Sequence, residues 1–190
     1  IIKLTVTLFL TCMVVAGILG WVNSITKDKI AAITWEKTVA AMQQVITADD
    51  FSDAMELTDD MTAAAAAQGG TLDAVYEAQS GGQVVGYAIN VEASGSQGII
   101  SMMVGIDTDG AVTGGSIVTN AETSGIGSKV MGNEPLANGT GVLDQFIGKS
   151  AADGTLAVGT NVDAITGATV SSKGVTTGVN TALAAAGAIG

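Results

Sequence analysis

Hydrophobic and polar positions follow different periods along this chain, and each change of period marks a segment. Between Lys3 and Lys27 no residue is charged, and Leu4 to Thr26 is apolar almost throughout. About 20 apolar residues carry a helix across the hydrocarbon core of a bilayer, and Trp21 near the end suits the interface. The run continues well past Ala16-Gly17, where a cleaved signal peptide would stop. It predicts an uncleaved single-pass anchor over residues 1–26, with Cys12 as a small apolar filler inside it. From about Lys27 to Met61 the pattern is helical, with Ile33, Val39, Met42, Val45 and Ile46 at three-and-four spacing. Asp49, Asp50, Asp53, Glu56, Asp59 and Asp60 form an acidic stretch that reads as a solvated face. Ala63 to Ala67, then Gln68-Gly69-Gly70, reads as a short helical end and a linker, so residues 27–70 form a helical connector.

After Leu72 the period falls to that of strands. AVYEAQ, QVVGYAINVEA, IISMMVGIDT and AVTGGSIVT are β-rich runs separated by Gly-Gly and Asp-Gly turns. Asp107-Thr108-Asp109-Gly110 resembles the opening of a calcium loop. Val118 stands where an EF-hand needs its bidentate Glu, so a hairpin turn is expected and no metal site. In the last segment Val175, Val179 and Leu183 are four apart, as on one face of a closing helix. Gly174 and Gly178 weaken that helix, so they predict close packing against a sheet. The order of elements is anchor, helix, strand meander, helix. It gives an α+β fold: a transmembrane helix, then a domain at 71–190 with an antiparallel-rich sheet flanked by helices.

Composition narrows the chemistry. The 190 residues include 18 acidic and seven basic side chains, all lysine, for a formal charge of −11; His and Arg are absent. No Ser-His-Asp or Cys-His machinery can exist, and no guanidinium can clamp a phosphate. Binding to nucleic acid through released counterions is excluded by the charge. One cysteine leaves no internal disulfide.

The informative stretch is Asp163-Ala164-Ile165-Thr166-Gly167-Ala168-Thr169-Val170-Ser171-Ser172. It is a glycine turn feeding a hydroxyl-rich helix start. Free backbone N–H groups and the positive end of the helix dipole make such a start a phosphate site. An ordinary helix cap, with the side chain of Thr169 or Ser171 as the acceptor, accounts for the same pattern.

DAITGAT is similar to the flavinylation motif Asp-x-x-(Ser/Thr)-Gly-Ala-Thr of a family of FMN-binding domains. These occur in the G subunit of the Rnf complex and the C subunit of the sodium-translocating NADH:quinone reductase. The segment from Gly86 to Gly114 resembles that family's strand meander, and Ala121 to Lys129 its Glu-Thr-Pro-Gly-Leu-Gly loop. Likeness runs from about Val75 to Lys173, plus the anchor. Ser124 stands where the family usually has Pro, and Gly95-Ser96-Gln97-Gly98 lacks the usual Tyr.

The resemblance implies covalent FMN, held by a phosphoester on Thr169 and installed by a flavin transferase that uses FAD. It implies Asp163, Thr166, Gly167 and Ala168 as recognition residues and Val170, Ser171 and Ser172 as phosphate surroundings. Glu122, Thr123, Gly125, Ile126 and Gly127 would line one side of the ring, with Lys129 and Lys173 the cations near the two motifs. By the same resemblance the chain is an electron-carrier subunit of an ion-translocating ferredoxin:NAD+ oxidoreductase. It would work among other cofactor-bearing subunits in the cell membrane, with the flavin domain on the extracytoplasmic side. It would be part of an enzyme without a complete active site of its own. Two alternatives share the motif: the homologous quinone-reductase subunit, and another flavinylated surface protein such as an extracellular flavin reductase. A third reading is an acidic surface domain without a cofactor. No Gly-x-Gly-x-x-Gly follows a strand, so no nicotinamide site is expected.

Overall fold

The computed structural model describes residues 2–189. The chain divides into two compact units, Ile1–Val39 and Ala40–Gly190. The described residues of the first are helical and belong to α1 (Ile2–Val45). Its Thr5–Thr26 stretch has a mean hydropathy of 2.1 and no buried residue, so it is long and apolar enough to cross a membrane. Thr7 and Thr11 turn their hydroxyls back onto carbonyls of the preceding turn, at 2.9 Å to Lys3 and 2.8 Å to Leu8. Such back-bonding satisfies hydroxyls without water. Cys12 is an exposed free thiol on this helix.

The second unit has the α+β architecture that the pattern predicts. β1 (Asp50–Phe51), β2 (Thr71–Ser80), β3 (Gln83–Ser94), β4 (Ile99–Asp107) and β5 (Val112–Asn120) form one antiparallel sheet in sequential order. Gly81 and Gly82, with φ of +58° and +79°, make the two-residue turn between β2 and β3, as a type I′ hairpin requires. The Asp107 loop is also a hairpin turn. Its carboxylate accepts the Asp109 and Ala111 N–H groups at 3.0 and 2.9 Å.

The helix expected over residues 27–61 stops at Val45. Side chains after it hydrogen-bond in ways that compete with helix. Asp49 accepts the Ser80 hydroxyl at 2.6 Å and the Gly81 N–H at 3.0 Å, while Asp50 accepts the Phe51 N–H at 2.9 Å. Helix resumes as α2 (Asp59–Ala67), capped by Thr58, with Asp59 and Asp60 at its positive end. The six acidic residues of the stretch are exposed, as expected of a solvated face, while Met55 and Leu57 between them pack against the core. The side chain of Ile33 lies outside the described residues.

α4 (Thr169–Ala186) covers one face of the sheet. Val175, Val179 and Leu183 join Ile89, Val91, Ile100, Met102 and Val104 in the main core, with Met61 and Ala65 of α2. The two glycines of α4 are there for contact, as the sequence predicts. A Cβ on Gly174 would meet the Ser94 carbonyl oxygen at 2.7 Å, and one on Gly178 the Met102 Sδ at 2.5 Å. The opposite face is covered as well. Ala41, Met42, Val45 and Ile46, at and just after the end of α1, are buried. The backbone of Val45 lies against Gly105 and Gly114, neighbours on β4 and β5. Thr113 donates its hydroxyl to the Val45 carbonyl at 2.6 Å, and Ser116 donates to Gln44 at 2.8 Å. Burial from both sides explains why β4 reads as an almost unbroken apolar run.

Gly174→Ala tests the helix–sheet contact. Alanine gains about 1 kcal/mol of helix propensity, whereas overpacking costs about 1–3 kcal/mol. The atom in the way is a backbone carbonyl at the end of β3 and not the far end of a flexible side chain, so the cost prevails. Urea unfolding of the variant should show a lower midpoint at unchanged slope.

Candidate functional site

Thr169 is the first residue of α4, and the cap position before it is Ala168, with no side-chain hydrogen bond. The capping role open to Thr169 or Ser171 is therefore unused. The N–H groups of the first turn have no acceptor within the helix. The approach to Thr169 is a tight turn: the Ala168 N–H donates to the Ile165 carbonyl at 2.9 Å, and Gly167 sits at φ +85°. That φ is the left-handed position of a type II turn, which favours glycine.

Thr169 opens on a cleft of about 290 Å³. Gly167, Ala168, Val170 and Ser171 line it from the turn and α4; Glu122, Thr123, Ile126 and Gly127 line it from the loop after β5 and the start of α3 (Gly127–Met131). Ile126 and Val170 are apolar yet 54% and 56% exposed. Most of the two groups marked by the resemblance thus face one another. Ser96 and Gln97, from the β3–β4 loop, complete the wall. They are absent from the sequence-based site, although the Gly95–Gly98 loop stands out there for its missing Tyr.

Glu122 ties these segments together. One carboxylate oxygen accepts the Ser96 and Gln97 N–H groups at 2.7 and 3.1 Å, and the other accepts the Ser171 hydroxyl. A Cβ on Gly95 or Gly127 would collide with that carboxylate, so both glycines make room for it. Burial pushes the Glu122 carboxyl up. The Ser171 hydroxyl and the two backbone N–H groups outweigh that effect and hold it below the ordinary glutamate range.

Other sequence-marked residues lie apart from this cleft. Gly125, at φ +94°, donates its N–H to Ser128 Oγ at 2.8 Å within the loop. Thr166 is exposed in the turn, and Ser172 is buried with its hydroxyl unpartnered among the described residues. Lys129 and Lys173 are exposed and line no part of the cleft. Asp163 faces a second, polar cleft of about 600 Å³, with Asp144, Gln145, Lys149 and Asn161 among its walls. The seven residues 163–169 thus reach two different clefts.

Glu122→Gln removes the charge and keeps the shape. It should cost about 1–2 kcal/mol at neutral pH, since bonds to a charged acceptor exceed neutral ones. The folded-state carboxyl ionises below its unfolded value of about 4.3. Its contribution is therefore complete above that pH and is lost as pH falls through the lower, folded value. Urea melts of the two proteins should converge across that acidic window and stay apart at neutral pH.

Residues 95–184 match the family described as FMN-binding domain. The chain is 35% identical to the G subunit of the Na(+)-translocating ferredoxin:NAD(+) oxidoreductase complex of Acetobacterium woodii, over 95% of this chain and 88% of that protein. It is 30% identical to the G subunit of the ion-translocating oxidoreductase complex of Methanosarcina acetivorans, over 96% and 93% respectively. The G subunit of the proton-translocating ferredoxin:NAD(+) oxidoreductase complex of Clostridium ljungdahlii is 35% identical over 57% of each chain. With likeness at this level along nearly its whole length, the chain belongs to the family of G subunits of Rnf-type ion-translocating ferredoxin:NAD+ oxidoreductase complexes.

Proposed function

We propose that this protein is a membrane-anchored electron carrier within an ion-translocating ferredoxin:NAD+ oxidoreductase complex, with FMN joined to Thr169 by a phosphoester. The observation that carries the proposal is an exposed threonine at an uncapped helix start, opening on a cleft inside the stretch that matches FMN-binding domains. The residues fit the group. First-turn N–H groups and the dipole of α4 favour the single negative charge of a phosphodiester. Ile126 and Val170 offer apolar contact for a flat ring, beside the polar side chains of Thr123 and Ser171.

When bound, FMN supplies the one-electron and two-electron chemistry that no side chain of this protein can. The chain's own task is to hold and orient it. Glu122 locks the two cleft walls through Ser96, Gln97 and Ser171, so the site is set before the cofactor arrives. With no histidine in the chain, attachment is assigned to a separate transferase. In that step the Thr169 Oγ–phosphorus bond forms and the pyrophosphate bond of FAD breaks. AMP leaves, and the hydroxyl proton passes to the transferase. Electron exchange needs only the approach of a cofactor held elsewhere in the complex, so the partners are its other subunits. We place the Thr5–Thr26 helix across the membrane and the flavin domain outside the cytoplasm.

Two measurements test this. Trypsin should release Ser150 to Lys173 with one FMN, less one water, and fragmentation should place it on Thr169. Thr169→Ala should express normally and lose all fluorescence of the denatured band; retained fluorescence would move the site elsewhere. A membrane-impermeant protease should shave the domain from intact cells or spheroplasts. Digestion only in inverted vesicles would reverse the topology.

A further inference from the structure

Gln145 lines the polar cleft around Asp163 and takes no part in the Thr169 cleft. It lies in a 3-10 turn, Asp144–Phe146, whose last residue Phe146 and whose preceding residues Val142 and Leu143 are all in the main core. Its backbone is therefore set by the core and not by the surface segment it faces. Its amide brackets a single residue. The Asp163 N–H donates to Gln145 Oε1 at 2.8 Å, and Gln145 Nε2 donates to the Asp163 carbonyl at 3.1 Å. Nε2 also donates to the Val142 carbonyl at 2.8 Å. A flipped amide would set its oxygen against two carbonyls, so the partners fix the orientation.

Asp163 belongs to no strand or helix, and it opens the segment that ends at Thr169. A side chain that makes both backbone bonds of one residue does the work of a strand partner. Downstream, the segment is held by the Ile165–Ala168 turn and by buried Ala168. Between them these contacts pin both ends of a stretch whose middle, Thr166 and Gly167, is exposed.

We propose that Gln145 is a positioning residue for flavin attachment: by clamping the Asp163 backbone it holds residues 163–169 in the form in which Thr169 is presented to the transferase. This rests on Thr169 being the attachment site. Gln145 itself lies outside the Thr169 cleft, so its effect is on the geometry of the acceptor. A misplacement of about 1 Å can cost on the order of 100-fold in a group-transfer step.

The test uses the full-length chain, made without transferase and then labelled with purified transferase and FAD. Gln145→Glu keeps an acceptor for the Asp163 N–H but removes the donor, and Gln145→Ala removes both. Labelling efficiency, kcat/KM, should fall on the order of tenfold or more in both. Amide hydrogen exchange should accelerate at residues 163–168 while β3 and β4 keep wild-type protection. General destabilisation would loosen the strands too. Wild-type labelling rates in a folded Gln145→Ala chain, or unchanged exchange at 163–168, would overturn the proposal. If Gln145→Ala does not fold, Gln145→Glu decides by the same two readouts. Flavin appearing on another residue, or on none, in the wild-type chain would sink the Thr169 assignment instead, and the exchange arm would still report whether Gln145 holds the segment.

Discussion

The close packing of α4 on the sheet is the constraint on which the rest depends. Gly174 and Gly178 let the helix axis approach β3 and β4 until side chains interdigitate with backbone. Most of the hydrophobic core forms along that contact. The same contact settles where α4 begins, and hence where Thr169 stands relative to the loops at one end of the sheet. A helix standing further off would carry its first turn away from Glu122. Core packing and site geometry are thus one requirement, met by two residues that lack a side chain.

Glu122 extends that requirement into the site. In a chain with 18 acidic residues, most carboxylates face water. This one is drawn between a β-hairpin loop and the start of α4, with glycines on both sides to admit it. A fixed negative charge on the wall of the cleft raises the cost of adding further negative charge there. The resting architecture therefore already favours one electrostatic state.

What could be read in the sequence was what depends on near neighbours. The strand runs, the Gly81-Gly82 hairpin, the Asp107 turn and the apolar stripe of α4 all follow from periods and turn chemistry within a dozen residues. The α+β class followed from their order. The break at Val45 was hidden because Asp49 uses its carboxylate on Ser80 and Gly81, residues far along the chain. Two of the cleft's walls were legible as motifs, since residues 122–127 and 163–172 are each continuous. Ser96 and Gln97 were missed because only the β3–β4 register brings their loop to Glu122. Asp163 and Thr169 sit in one short motif yet face different clefts, since a turn at Gly167 lies between them. Spacing along a chain does not report such a turn's direction.

The seat of Val45 on Gly105 and Gly114 decides where the domain can be cut free of its anchor. Residues from Ala40 onward belong to the folded unit, and Met42, Val45 and Ile46 close one face of the sheet. A truncation starting at Asp49 would strip that face, leaving strand glycines and apolar side chains in contact with water, a surface prone to self-association. Lys37 is the last lysine before this boundary. A cut after it would free the whole folded unit with its helical cover in place and both faces of the sheet still closed.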